Sequence, residues 1–172
     1  MNLSQSDFEL FGLPARFEQD RAAIDQRWKA LQREAHPDRF AAQGASAQRL
    51  ALQWSVRINE AYQRLKDPLR RAIYLCEMLG APIAAESNTA MPAEFLVEQM
   101  EWREALDEAG SEEALDALSR RVRTRRQDML ARIGQLLDLE GDAPAAAQQV
   151  RALMFIERFA HDVESRLAQL GQ

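Results

Sequence analysis

Few side chains in this sequence could carry covalent or acid–base chemistry at neutral pH. There are two histidines, His36 and His161, and one cysteine, Cys76. The histidines stand far apart in sequence, and nothing near either suggests a serine or cysteine nucleophile, so no triad logic is supported. A single cysteine excludes an internal disulfide and any multi-cysteine metal site. Cys76 sits in the apolar run Ile73-Tyr74-Leu75-Cys76-Glu77-Met78-Leu79, which reads as the setting of a buried, inert thiol. We expect no catalysis, no cofactor and no bound metal.

The tripeptide His36-Pro37-Asp38 offers chemistry of a different kind. Proline fixes its own φ and drives the residue before it out of the helical region. His36 and Asp38 are then held at a corner with few conformations left to lose, so little ordering cost remains when a partner docks. Asp38 presents a carboxylate to a cationic group, and His36 presents one donor and one acceptor. This is the chemistry of recognition.

The elements that must hold this corner are helices. Gly (7) and Pro (6) are scarce, and hydrophobic residues make up 47% of the chain. Helix formers abound, while β-branched and aromatic residues are few. An all-helical protein is expected. Asp7 to Leu13 reads as one or two helical turns, ended by Gly12 and Pro14. From Asp20, the residues Ile24, Trp28, Leu31 and Ala35 lie on one helical face, and the helix must stop near His36. Phe40 to Ser46 reads as a loop. Leu50, Trp54, Ile58, Ala61 or Tyr62, and Leu65 form the stripe of a second long helix. Asp67-Pro68 ends it, and Pro68 is suited to open the next helix, which Gly80 stops. Residues 81–92 (APIAAESNTAMP) show no periodicity and read as a linker. Three further helices are predicted: 93–109, 112–139 and 144–170. Their short connections imply an antiparallel three-helix bundle.

Residues 7–75 resemble a J domain. The pieces that carry the likeness are DFELFGLP (7–14), REAHPDRF (33–40) and INEAYQRLKDPLRRAIY (58–74). The resemblance implies a helical hairpin with His-Pro-Asp in its loop, and a positively charged face beside the tripeptide that meets an acidic region of a DnaK-class ATPase. At about 100° per residue, Lys29 and Arg33 lie opposite the apolar stripe, with Gln26 on the same face and Arg27 on its flank. Arg39 could extend that face. An ordinary solvated surface would explain the same residues.

The helix 93–109 carries more apolar surface than one face needs. Phe95, Gln99, Trp102 and Leu106 make a core face, whereas Leu96, Val97 and Met100 fall roughly 100° to 200° away, beside Glu101, Glu104 and Glu108. In the last helix Phe155 departs from the stripe of Val150, Leu153, Ile156, Ala160, Val163, Leu167 and Leu170. Exposed Leu, Val, Met and Phe rimmed by carboxylates suggest a protein-binding patch. Burial against the J domain or within a wider bundle is the alternative.

The segment FLVEQMEWREALDEA (95–109), with FGLPARF, the linker ESNT and the overall length, is similar to the HscB family, J proteins of iron–sulfur cluster assembly. The likeness covers nearly the whole chain. It implies a J domain over residues 1–80, a linker over 81–92 and a scaffold-binding bundle over 93–172. It further implies two protein partners: an HscA-like DnaK-class chaperone, met by His36, Pro37, Asp38, Gln26, Arg27, Lys29, Arg33 and Arg39, and an IscU-like scaffold, met by Leu96, Val97, Met100, Glu101, Glu104, Glu108 and Phe155. Val97 stands where a longer Met is common, and Asn88 where the linker often has His. The N-terminal zinc motif of some eukaryotic relatives is absent. The alternative reading is a J-domain co-chaperone of a general DnaK-class chaperone with a different client.

Net charge is −5, which argues against a general nucleic-acid binder. The run Arg120-Arg121-Val122-Arg123-Thr124-Arg125-Arg126 is therefore expected to pair with an acidic neighbour (Glu98, Glu101, Glu104, Asp107, Glu108) or to lie in solvent. No segment approaches a membrane span, and the polar start, Met1 to Asp7, lacks the pattern of a signal peptide. A cytoplasmic protein is expected.

Overall fold

The computed structural model describes residues 2–172, and among them it contains helices and no strand. The chain divides into two compact units, Met1–Leu75 and Cys76–Gln172. The division falls earlier than the expected J-domain limit at residue 80, because Cys76 and Ile83 are buried and the backbone of 82–90 is tied to the second unit.

In the first unit, α1 spans Asp7–Phe11, α2 Arg21–Ala35 and α3 Ala45–Lys66. Ser6 caps α1 by accepting from the Glu9 amide, and Gly12 ends it in the left-handed region at φ 65°, which glycine adopts without strain. Asp20 caps α2 in the same manner, accepting from the Ala22 amide. Polar rungs set the register between α2 and α3. The Tyr62 hydroxyl donates to Asp25, Trp28 Nε1 donates to Asn59, and the Ser55 hydroxyl donates to Gln32. Numbers rise on α2 as they fall on α3, so the pair is antiparallel. Trp28 also stacks on Tyr62, with centroids 4.5 Å apart. The Tyr62 hydrogen bond, helped by Arg21, holds the Asp25 carboxyl below the usual carboxylate range.

Ile24, Leu31 and Ala35 of α2 meet Ala51, Ile58, Ala61 and Leu65 of α3 in the core, closed at one end by Phe8, Phe11 and Phe17. Leu50 is not part of that core. It lies exposed, one position off the stripe that Ala51 occupies. Asp7 is wholly buried, where it accepts from Arg57 and Arg64 while its amide donates to the Tyr74 hydroxyl. Buried Arg71 donates to the carbonyls of Phe17 and Leu65. As the sequence predicts, α4 opens on Pro68 and runs Pro68–Met78.

The second unit holds α5 (Ala93–Glu108), α6 (Glu112–Gly134) and α7 (Ala143–Leu170). Ser111 and Asp142 cap α6 and α7, accepting from the amides of Ala114 and Ala145. The α-helical hydrogen bonding of α6 ends at Gly134 and continues as a π turn over Gln135–Glu140, where one uninterrupted helix to Leu139 was expected. The wider turn keeps Leu136 buried and turns Leu139 out to solvent. Leu115, Leu118, Val122, Met129 and Ile133 of α6 face Val150, Leu153, Ile156 and Val163 of α7, and all are buried. Phe95 and Trp102 attach α5 through edge contacts to Phe155 and a tilted contact to Phe159.

The segment 81–92, read from sequence as a linker, is held in place. Arg151 is buried in α7 and donates Nε to the Ile83 carbonyl (2.9 Å), one terminal nitrogen to Ala90 (3.1 Å) and the other to Pro82 (3.3 Å). Ala84 adopts φ 45°, and its carbonyl accepts from the amides of Ser87 and Asn88. No helix among the described residues is long and apolar enough to cross a membrane.

Candidate partner-binding sites

The tripeptide stands where the sequence places it, at the end of α2. His36 leaves the helix with φ −62° and ψ 128°, the extended conformation that a following proline imposes. Pro37 then opens a 3₁₀ segment, Pro37–Gln43, in place of the loop expected over 40–46. His36 Nδ1 accepts from the Asp38 amide at 3.2 Å, and the Arg39 amide donates to the His36 carbonyl at 3.0 Å. With Nδ1 used as an acceptor, a neutral His36 directs its remaining Nε2–H outward. The Asp38 carboxylate is 91% exposed. A ring N–H and an exposed carboxylate, whose Oδ2 lies 3.6 Å from His36 Nδ1, therefore sit side by side at the corner.

Arg39 folds back so that a terminal nitrogen donates to the Arg33 carbonyl, and Arg33 in turn donates to the carbonyl of Lys29. Both guanidinium groups lie at the C-terminal end of α2, where the helix dipole favours positive charge. Gln26 and Lys29 are exposed further along the same helix. Arg27 is exposed on the same helix and also makes a contact within the unit. Its Nε donates to the Phe11 carbonyl at 2.8 Å, so it anchors the end of α1. It lies about 13 Å of helix from His36. The bond gives the open carbonyl at the end of α1 a donor. Sequence reasoning also missed a hollow of about 330 Å³ beside the corner, lined by Ala35, Phe40, Ala47, Leu50 and Trp54 among others. Phe40 was assigned to a loop and Leu50 to the core, so neither could signal it.

In the second unit, Leu96, Val97 and Met100 of α5 are 50%, 60% and 70% exposed. Glu101, Glu104 and Glu108 are exposed beside them. Phe155 is not exposed. At 7% it lies in the core, edge-on to Phe95, stacked on Phe159 and covered by the Arg103 guanidinium 5.2 Å from its ring centre. The physical reason is that α7 packs against both α5 and α6, so its buried face is wider than one stripe and takes in Ala152, Phe155 and Phe159. The exposed patch is therefore carried by α5, with Phe155 beneath its edge.

The arginine run divides between ion pairs and solvent, as expected, with one partner, Glu157, outside the expected acidic neighbours. Arg125 pairs with Glu98 at 2.8 Å, and Arg126 pairs with Glu157 of α7. Glu101, Glu104, Asp107 and Glu108 make no ion pair among the described residues, and neither do Arg120, Arg121 and Arg123. The acidic face of α5 points away from α6, which brings only Glu98 within reach.

The family model for the HSCB C-terminal oligomerisation domain matches residues 91–164. The chain is 49% identical to the co-chaperone protein HscB homolog of Burkholderia multivorans, over 99% of this chain and 98% of that one. Among solved structures it is similar to the chaperone HscB from Vibrio cholerae, with a TM-score of 0.82 and 39% identity, covering 96% of this chain and 99% of that one. It is also similar to human co-chaperone protein HscB, with a TM-score of 0.88 and 25% identity over 96% of this chain and 84% of that one. Full-length identity of this order, together with the same two helical units, shows that this chain belongs to the HscB family of co-chaperones.

Proposed function

We propose that the chain is an adaptor between two proteins and performs no chemistry of its own. In this reading the α5 patch seats an IscU-like iron–sulfur scaffold, and the corner at His36-Pro37-Asp38 docks on an HscA-like chaperone of the DnaK class and stimulates its ATPase. The chaperone, once it has hydrolysed ATP, grips the scaffold and assists cluster transfer in the cytoplasm.

The observation that carries this reading is the exposed stripe of Leu96, Val97 and Met100 beside Glu101, Glu104 and Glu108. Large apolar side chains left in water on a helix that already buries Phe95, Trp102 and Leu106 are the mark of an interface. The acidic rim favours a partner with basic groups around an apolar seat. On the other unit, Arg33, Arg39 and Lys29 supply positive charge and Asp38 a carboxylate, which suits a mixed-charge docking surface.

Two variants test it. Asp38→Ala should abolish stimulation of the chaperone ATPase and leave scaffold affinity intact. Leu96→Ala with Met100→Ala should weaken scaffold binding in titration calorimetry by at least ~tenfold and spare stimulation measured without scaffold. Undiminished stimulation by the first variant, or undiminished affinity of the second, would refute the corresponding half of the proposal.

A further inference from the structure

Between α5 and α6 lies a shallow, open groove of about 450 Å³. The buried ring of Trp102 stands at its base, and its walls include Glu98, Arg120, Arg121, Thr124 and Asp128. Residues 120, 121, 124 and 128 follow one another at helical spacing, so they form a single face of α6.

Part of the positive charge on this face is left out of ion pairs. Arg125 is occupied by Glu98, and its guanidinium also lies over the Phe95 ring at 5.9 Å. Arg120 and Arg121 are exposed and make no ion pair among the described residues. They sit in the middle of α6, away from the last turn where the helix dipole would reward them. Arg121 and Arg125 are four residues apart, a like-charge spacing that mildly destabilises a helix. A chain of net charge −5 thus keeps a local excess of guanidinium around an apolar-based groove.

We propose that this groove is a second docking site, distinct from the Leu96–Met100 patch, and that it takes an extended acidic segment of a protein partner. Carboxylates of the segment pair with Arg120 and Arg121, whose planar forks suit them. An apolar side chain between them rests on Trp102. Glu98 and Asp128 accept hydrogen bonds from the segment's backbone amides. The groove offers two guanidinium groups unpaired among the described residues, enough for the two carboxylates of a short peptide and too few for a continuous phosphate backbone, which needs a row of cations.

The test uses the full chain and a short fluorescein-labelled peptide of alternating Glu and Leu, followed by fluorescence polarisation. A Gln–Leu peptide and a single-stranded oligonucleotide of equal formal charge serve as comparisons. The Glu–Leu peptide should bind, shift the Trp102 indole resonance, and lose ~tenfold or more in affinity with Arg120→Gln/Arg121→Gln. Arg123→Gln, which lies off this face, and Met100→Ala should both bind within about twofold of the parent. Absence of binding, an unaltered affinity in the double variant, or equal or tighter binding of the oligonucleotide would each overturn the proposal. Because Arg120 and Arg121 make no ion pair among the described residues, an unchanged melting temperature confirms that the double variant reports on the groove.

Discussion

Asp7 and Arg64 form a two-point ion pair across the first unit. Arg64 Nε lies 2.6 Å from Asp7 Oδ2, and its terminal nitrogen lies 2.9 Å from Oδ1. Arg57 adds a third bond at 2.7 Å, and the carboxylate is fully removed from solvent. One aspartate at the start of α1 thereby joins that short helix to two turns of α3. The pairing also raises the Arg64 guanidinium above its ordinary range. A five-residue helix cannot hold itself together, so it is docked by these bonds together with its buried Phe8, Leu10 and Phe11. Removing Asp7 leaves two arginines that are only partly exposed. Asp7→Ala should destabilise the chain by about 2–4 kcal/mol, short of the upper range because Arg64 can regain water. Urea unfolding of the parent and variant measures this, and a loss below about 1 kcal/mol would mean α1 is docked by its phenylalanines alone.

The burial of Phe155 separates two effects that the sequence merges. Phe155→Ala should lower stability by about 3 kcal/mol or more through the cavity it leaves against Phe95 and Phe159. Leu96→Ala and Met100→Ala should each change stability by less than about 0.5 kcal/mol, since both side chains already stand in water. Thermal melts of the three variants decide the matter before any binding measurement is interpreted.

Arg151 controls the order of residues 82–90. Its three hydrogen bonds satisfy carbonyls that would otherwise lie against the unit without a donor. Arg151→Met keeps most of the volume and removes the donors. Amide exchange and protease cleavage within 81–92 should accelerate in this variant, while exchange in the α2–α3 hairpin stays at the parent rate. Equal acceleration in both units would mean that the substitution unfolds the whole chain.

Cys76 gives a pH dependence. Burial pushes its thiol up to about 11, against a weaker opposing pull from Arg151. The folded chain therefore keeps its proton more firmly than the unfolded chain, where the thiol titrates near ~8.5. The stability this contributes is fully present below about pH 8.5 and is lost as pH rises toward 11. Its size is on the order of 3 kcal/mol. Unfolding free energies of the parent and Cys76→Ala, compared from pH 8 to pH 11, should converge by roughly that amount. A maleimide should also label native Cys76 far more slowly than the urea-unfolded chain.

The periodicity of apolar residues by itself determined the helices, because each amphipathic stripe depends only on local spacing. The same locality made the tripeptide readable: Pro37 ends α2 wherever the rest of the chain lies, so His36 and Asp38 had to stand at a corner. Leu96, Val97 and Met100 could be assigned to an exposed side because α5 had already spent its core face on Phe95, Trp102 and Leu106. What a helical stripe cannot reveal is how many neighbours a helix has. Phe155 is buried because α7 meets two helices, and Leu50 is exposed because the α2–α3 contact runs through Ala51 instead. The roles of Asp7, Arg27 and Arg151 were equally hidden. Each is a polar side chain satisfied by a group far away in sequence, and only the folded chain brings that donor or acceptor within hydrogen-bonding distance.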